Sequence, residues 1–170
     1  MGLREQEKPT EWRDIEEAGG VKGPRYMGRA GIQEALSDLA EEYGLTAIYA
    51  FGSRAGEVAA QAVGNPIESV HPSSDVDIGV LPVRGRRLTA PERVRLAIAL
   101  EDALDVKRVD LVILPEASPY LALEVVRGEL LYTTDPDAEA EYQLYVLRRA
   151  GDLAPYQYER LRMILAGEAI

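Results

Sequence analysis

Apolar residues along the chain switch between two periods. In residues 31–43, Ile32, Ala35, Leu36, Leu39, Ala40 and Tyr43 recur three and four positions apart, the stripe of an amphipathic helix, and Gly44 is placed to end it. Residues 45–51 are apolar without alternation, which predicts a strand buried on both faces and therefore central. An Ala-rich helix is expected over 54–63, ended by Gly64-Asn65-Pro66, with loop over 67–73. Residues 75–81 then alternate: Val76, Ile78 and Val80 point one way, Asp75, Asp77 and Gly79 the other. Residues 82–88 form a connection carrying three arginines. Thr89 and Glu92 form a capping box, with Pro91 early in a helix that runs to about 104. A third strand is expected over 108–114 and a short helix from Ser118-Pro119 to Gly128. A fourth strand over 129–132 follows, then a helix from Asp135-Pro136 to about 150. Gly151 separates off a last helix holding Leu153, Tyr156, Leu161, Ile164 and Leu165. The pattern predicts an α/β (α+β) fold, a mixed sheet of about four strands flanked by helices, with a C-terminal helical hairpin. Residues 1–30 are polar, with Gly19-Gly20 and Gly23-Pro24, and read as an N-terminal arm in which Trp12 and Ile15 can pin a turn to the body. Residues 31–134 form the core, and 135–170 are helices of the same domain.

Composition narrows the function. At 170 residues the chain is the size of one domain with a sizeable core. Its formal charge of −10 argues against a grip on long nucleic acid, which needs a basic face. Arg84, Arg86 and Arg87 are a local exception, read as a solvated connection or a patch for an acidic partner or RNA. Absence of cysteine excludes disulfides, thiolate catalysis and zinc–thiolate sites. No apolar run approaches membrane-spanning length and residues 1–30 hold no signal-peptide core, so a cytoplasmic location is expected.

Three short features carry candidate chemistry. Gly52-Ser53 joins a buried strand to a helix. Glycine allows close backbone approach, and the serine hydroxyl and N–H can hold a phosphate oxygen or simply cap the helix. Asp75 and Asp77 fall two apart on one strand face, where they repel unless a cation lies between them or unless both lie in the turn before the strand. Asp110 interrupts an otherwise apolar strand, where it needs a metal, a donor or an ion pair with Arg108 or Lys107. A calcium loop of EF-hand type does not fit, because Arg86 stands where the bidentate Glu is required. A phosphate-holding turn with carboxylates on two following strands meets the requirements of two-metal phosphoryl chemistry. Arg54 reads either as a triphosphate contact or as a pair with Glu57. His71 reads as a loop residue, and Tyr142, Tyr145, Tyr156 and Tyr158 as core aromatics of the tail.

Phe51-Gly52-Ser53-Arg54-Ala55-Gly56, Ser74-Asp75-Val76-Asp77-Ile78-Gly79-Val80 and Asp110 together resemble the nucleotidyltransferase superfamily typified by DNA polymerase β, and most closely its minimal nucleotidyltransferase branch. The likeness spans about residues 45–132. It implies Gly52, Ser53 and Arg54 on the nucleotide, Asp75 and Asp77 on Mg²⁺, and Asp110 completing the metal site and taking or steering the acceptor's proton. The implied reaction transfers NMP, AMP from ATP, to an acceptor hydroxyl with two Mg²⁺ ions and releases pyrophosphate. The same branch implies pairing with a HEPN ribonuclease as its antitoxin. Two alternatives stand beside this reading: an aminoglycoside-type adenylyltransferase of small molecules, and a catalytically idle antitoxin module that acts by contact. One departure is the spacer over 54–74, longer than the family's usual distance between the Gly-Ser and the first Asp.

Overall fold

The computed structural model describes residues 29–65 and 74–167. The 1–28 part of the expected arm and the 66–73 part of the long spacer, with His71, lie outside the described residues. Helix α1 (Arg29–Tyr43) turns through Gly44 into β1 (Leu45–Phe51); a 3₁₀ turn (Gly52–Arg54) then feeds α2 (Ala55–Ala62). After these come β2 (Val76–Pro82), α3 (Ala90–Leu104), β3 (Val109–Ile113), a second 3₁₀ turn (Leu114–Glu116), α4 (Pro119–Val126), β4 (Glu129–Thr133) and α5 (Pro136–Leu165). The four strands form one mixed sheet in the order β3-β2-β1-β4. β1 is antiparallel to β2 and β4, and β2 runs parallel to β3 through the α3 crossover. The run without alternation thus marks a central strand, as expected.

The period-2 pattern of β2 sorts the two layers. Val76, Ile78 and Val80 join Ile48, Leu36, Leu96 and Leu100 in a core beneath α1, α2 and α3. On the other face Ala47, Tyr49 and Leu81 pack with Ala122, Val125 and Val146 of α4 and α5. Gly79 belongs to that second face: a Cβ there would fall 2.2 Å from Val125 Cγ1, so α4 rests directly on the strand. The Tyr49 hydroxyl donates to the buried carboxylate of Glu139, which also accepts from Gln143 Nε2 at 2.5 Å. Burial, with the carboxylate beside it, pushes the Tyr49 phenol well above its ordinary pKa. This network fixes the first turns of α5 to the middle of the sheet.

The Thr89–Glu92 capping box forms as the sequence indicates. Glu92 Oε2 accepts from the Thr89 backbone N–H at 2.7 Å and from its hydroxyl at 2.8 Å, and Arg86 donates to Oε1 at 2.7 Å. The Thr89 N–H, then Arg86, hold the Glu92 carboxyl down at about 2. A carboxyl depressed in the fold stabilises it above the unfolded value and loses that contribution as pH falls through the folded one. The melting-temperature deficit of Glu92→Gln is therefore expected to be full above pH 4.5 and to shrink towards pH 2, which thermal melts across that range check.

The expected C-terminal hairpin is instead one 30-residue helix, α5, running through both Gly151 and Pro155. Gly151 does not adopt the positive φ that a glycine stop needs. It also sits four residues before Pro155, where the proline ring crowds a carbonyl and leaves it without its N–H partner. That stretch is exposed or half-buried, so water can satisfy the carbonyl and the helix continues.

Candidate active site

The site is assembled where β1 ends and β2 and β3 begin. Gly52 takes φ 73°, a left-handed conformation that lets the chain leave β1 in a tight turn. A Cβ on Gly52 would fall 2.3 Å from Asp77 Oδ2, so the turn backbone lies directly against that carboxylate. Ser53 is exposed within the turn, and neither the 3₁₀ turn nor α2 has a side-chain cap. The simple capping role for Ser53 is thus not taken up, and its hydroxyl faces solvent.

Arg54 is turned inward. It is 9% exposed, donates to the Ser74 carbonyl at 2.8 Å, and makes a forked pair with Glu57 at 2.5 and 3.3 Å. It therefore fastens the Gly-Ser turn to the segment that enters β2, and of the two roles the sequence left open it fills the pairing one. Glu57, three residues on, supplies the counter-charge that spacing alone made legible.

Asp77 lies within β2, and Asp75 just before it. Asp77 pairs in register with Asp110 across the parallel β2–β3 ladder, which puts both on one face of the sheet. The topology therefore brings Asp110 beside the Asp-x-Asp. Asp110 is exposed, because β3 is an edge strand whose polar face no helix covers at this point, so the expected burial of this carboxylate is not found. The alternative of a pair with Arg108 or Lys107 is not found among the described residues either, and Arg108 Nε lies 3.5 Å from Asp75 Oδ2 instead. Burial first, then the charges of Asp110 and Asp75, raise the Asp77 carboxyl above its ordinary value. The carboxylates of Asp110 and Asp75 are thus close enough to disfavour the ionised form of Asp77.

The comparisons with known proteins give the family. The family described as "Polymerase beta, Nucleotidyltransferase" matches residues 34–137, more than half of the chain, and the match contains the turn and all three acids. The chain belongs to this nucleotidyltransferase family. Among solved structures, a mutant of the MntA–HpeT toxin–antitoxin pair matches at TM-score 0.57 and 28% identity, over 81% of this chain and 98% of that one. A toxin–antitoxin structure with AMP-PNP matches at TM-score 0.56 and 28% identity, with the same coverage. A structure of tri-AMPylated HEPN toxin from Shewanella oneidensis in complex with MNT antitoxin matches at 0.54 and 28%, over 83% of this chain and 99% of that one. No curated protein matches the sequence. This nucleotidyltransferase has no described helix long and apolar enough to cross a membrane.

Enzymes of this family typically work with divalent metal ions. Among the described residues no three acidic, His or Cys side chains are gathered tightly enough to chelate a cation as they stand. Asp75 is turned towards Arg108, with side chains 43% and 67% exposed. An ion pair so exposed is worth at most about 1 kcal/mol, so a cation that relieves three mutually repelling carboxylates outweighs it. Oxygen donors alone, from carboxylates, are the set that hard cations such as Mg²⁺ select. Arg108→Gln is expected to free Asp75 and lower the half-saturating Mg²⁺ concentration by up to about fivefold, the equivalent of about 1 kcal/mol. Titrating the transfer rate with Mg²⁺ measures it.

Proposed function

We propose that this nucleotidyltransferase moves AMP from ATP to a hydroxyl of an acceptor protein, a HEPN-type toxin, and so acts as its antitoxin in the cytoplasm. The observation that carries this reading is the in-register pairing of Asp77 with Asp110 beside a Gly-Ser turn whose backbone touches Asp77. The structural neighbours support the acceptor: one contains an AMPylated HEPN toxin beside its antitoxin, and another contains AMP-PNP. In this reading residues 31–134 are the catalytic core and the helical tail belongs to the same domain.

Each residue has a distinct task. Gly52 admits a phosphate close to the backbone, and the Ser53 hydroxyl and N–H donate to its oxygens. Asp75, Asp77 and Asp110 would hold two Mg²⁺ ions, which would supply charge to neutralise the triphosphate and to lower the pKa of the acceptor hydroxyl. Asp110, at the open edge of the sheet, accepts the acceptor's proton as the hydroxyl attacks the α-phosphorus and pyrophosphate leaves. Its exposure suits that task, because a protein hydroxyl must reach it from solvent. Arg54 holds the turn in place through Ser74 and Glu57.

Incubation with α-labelled ATP, Mg²⁺ and a co-encoded HEPN-type protein tests the proposal. Label is expected on that protein and absent with Asp110→Asn. Label on an aminoglycoside instead would favour the small-molecule alternative, and neutralisation of the toxin without any label would favour the idle module.

A further inference from the structure

A cavity of about 790 Å³ opens at the end of the sheet opposite the carboxylates. Leu81, on its floor, is four residues along β2 from Asp77, about 13 Å at the rise of a strand. The two sites therefore do not overlap. The volume is in the range of small-ligand pockets.

Its walls are chemically mixed in a particular way. One wall is the β2–α3 connection, turned sharply at Gly85 (φ 85°) so that Arg84, Arg86 and Arg87 all border the cavity. Arg86 is anchored: it donates to the Arg87 carbonyl at 2.9 Å and pairs with Glu92. Among the described residues Arg84 and Arg87 have no ion-pair partner, although the chain as a whole carries −10. Two unneutralised guanidinium groups at a cavity mouth in an acidic protein are an anion-holding arrangement. The facing wall is α5, whose Tyr142 and Tyr145 rings stand 5.9 Å apart and tilted by 41°. Leu81, on the same face of the sheet as α5, adds an apolar floor for a flat group. Glu116 on the rim is already held by a forked pair with Arg93, at 2.6 and 2.8 Å. Glu141, on the cavity's helical wall, makes no ion pair among the described residues and can accept from an amino group.

We propose that this cavity is a second, metal-independent site for a purine mononucleotide bearing an exocyclic amino group. Its phosphate meets Arg84 and Arg87, its ring lies against Leu81 and Tyr142, and its amino group donates to Glu141. The Tyr142 phenol is protonated and able to donate at neutral pH, and burial pushes its pKa further up, to about 12. A mononucleotide bound here is free of the three acids, and its occupancy reports nucleotide supply without chemistry.

Calorimetric titration of the full chain with AMP in EDTA tests the assignment. One AMP per chain is expected. Asp77→Asn leaves that binding unchanged, and IMP, which lacks the amino group, binds more weakly. The double variant Arg84→Ala/Arg87→Ala, altered only at exposed side chains, is expected to weaken AMP by about tenfold or more, as loss of charge-assisted hydrogen bonds requires. No AMP binding in EDTA, binding that survives the double variant, or binding that falls with Asp77→Asn overturns the proposal. So does inorganic phosphate competing as well as AMP, or an adenine-ended oligoribonucleotide binding far more tightly than AMP. The AMP-transfer reading stands or falls separately, because its label assay needs Mg²⁺ and the acids.

Discussion

Asp77→Asn is expected to lower nucleotidyl transfer by about three orders of magnitude, the scale of losing a group that stabilises developing charge. The same change is expected to raise the melting temperature of the metal-free protein. Burial and the neighbouring Asp110 and Asp75 raise the Asp77 carboxyl above 3.8, so the fold favours its protonated form. At neutral pH the ionised side chain costs the folded state stability, and that cost fades as pH falls through the raised value. Asparagine carries no charge at any pH. The variant's thermal advantage should therefore be full at neutral pH and vanish in acid, while Mg²⁺ stabilises the wild type and not the variant. Thermal melts with and without Mg²⁺, alongside α-labelled ATP transfer, read both effects. A variant that is inactive and less stable at neutral pH would mean that Asp77 is held for structure rather than for a cation.

Gly52→Ala should be nearly as damaging to activity, through geometry alone. Alanine pays about 1 kcal/mol or more for the left-handed φ of 73°. Its Cβ would also stand 2.3 Å from Asp77 Oδ2, a contact that only movement of the turn or the carboxylate relieves. Either movement breaks the alignment of phosphate turn and acid, and a displacement of about 1 Å at a reacting centre costs about a hundredfold. Gly56→Ala is the matched control. It lies four residues on in α2 with nothing within 4 Å of the added methyl, and should stabilise the helix by roughly 0.5–1 kcal/mol without loss of transfer. Equal activity in the two variants would disconnect the turn from the reaction.

Much of this arrangement could be read from local pattern. The unbroken apolar run at 45–51 marked the central strand, and the alternation of Val76, Ile78 and Val80 placed Asp77 on the face opposite the main core. The position of Asp110 was of another kind. Its side of the sheet depends on the parallel register of β3 against β2, a non-local pairing made through α3 that no period in either strand encodes, so only the resemblance suggested it. The partner of Arg108 was missed for the same reason: Asp75 is distant in sequence and adjacent in space. Arg54 was ambiguous because a guanidinium after a Gly-Ser turn reaches equally well outward or back to Glu57; in the structure it is buried and paired with Glu57. The tail was misjudged at Gly151, a helix breaker in isolation that stands four residues before Pro155. On an exposed face the two leave the helix continuous.

A crystal structure of the full chain with Mg²⁺ and AMP-PNP tests the central claim most directly. The account predicts magnesium held by Asp75, Asp77 and Asp110, Asp75 released from Arg108, and the triphosphate against Gly52 and Ser53. Magnesium and triphosphate seated away from these acids, with Asp75 still paired to Arg108, would contradict it.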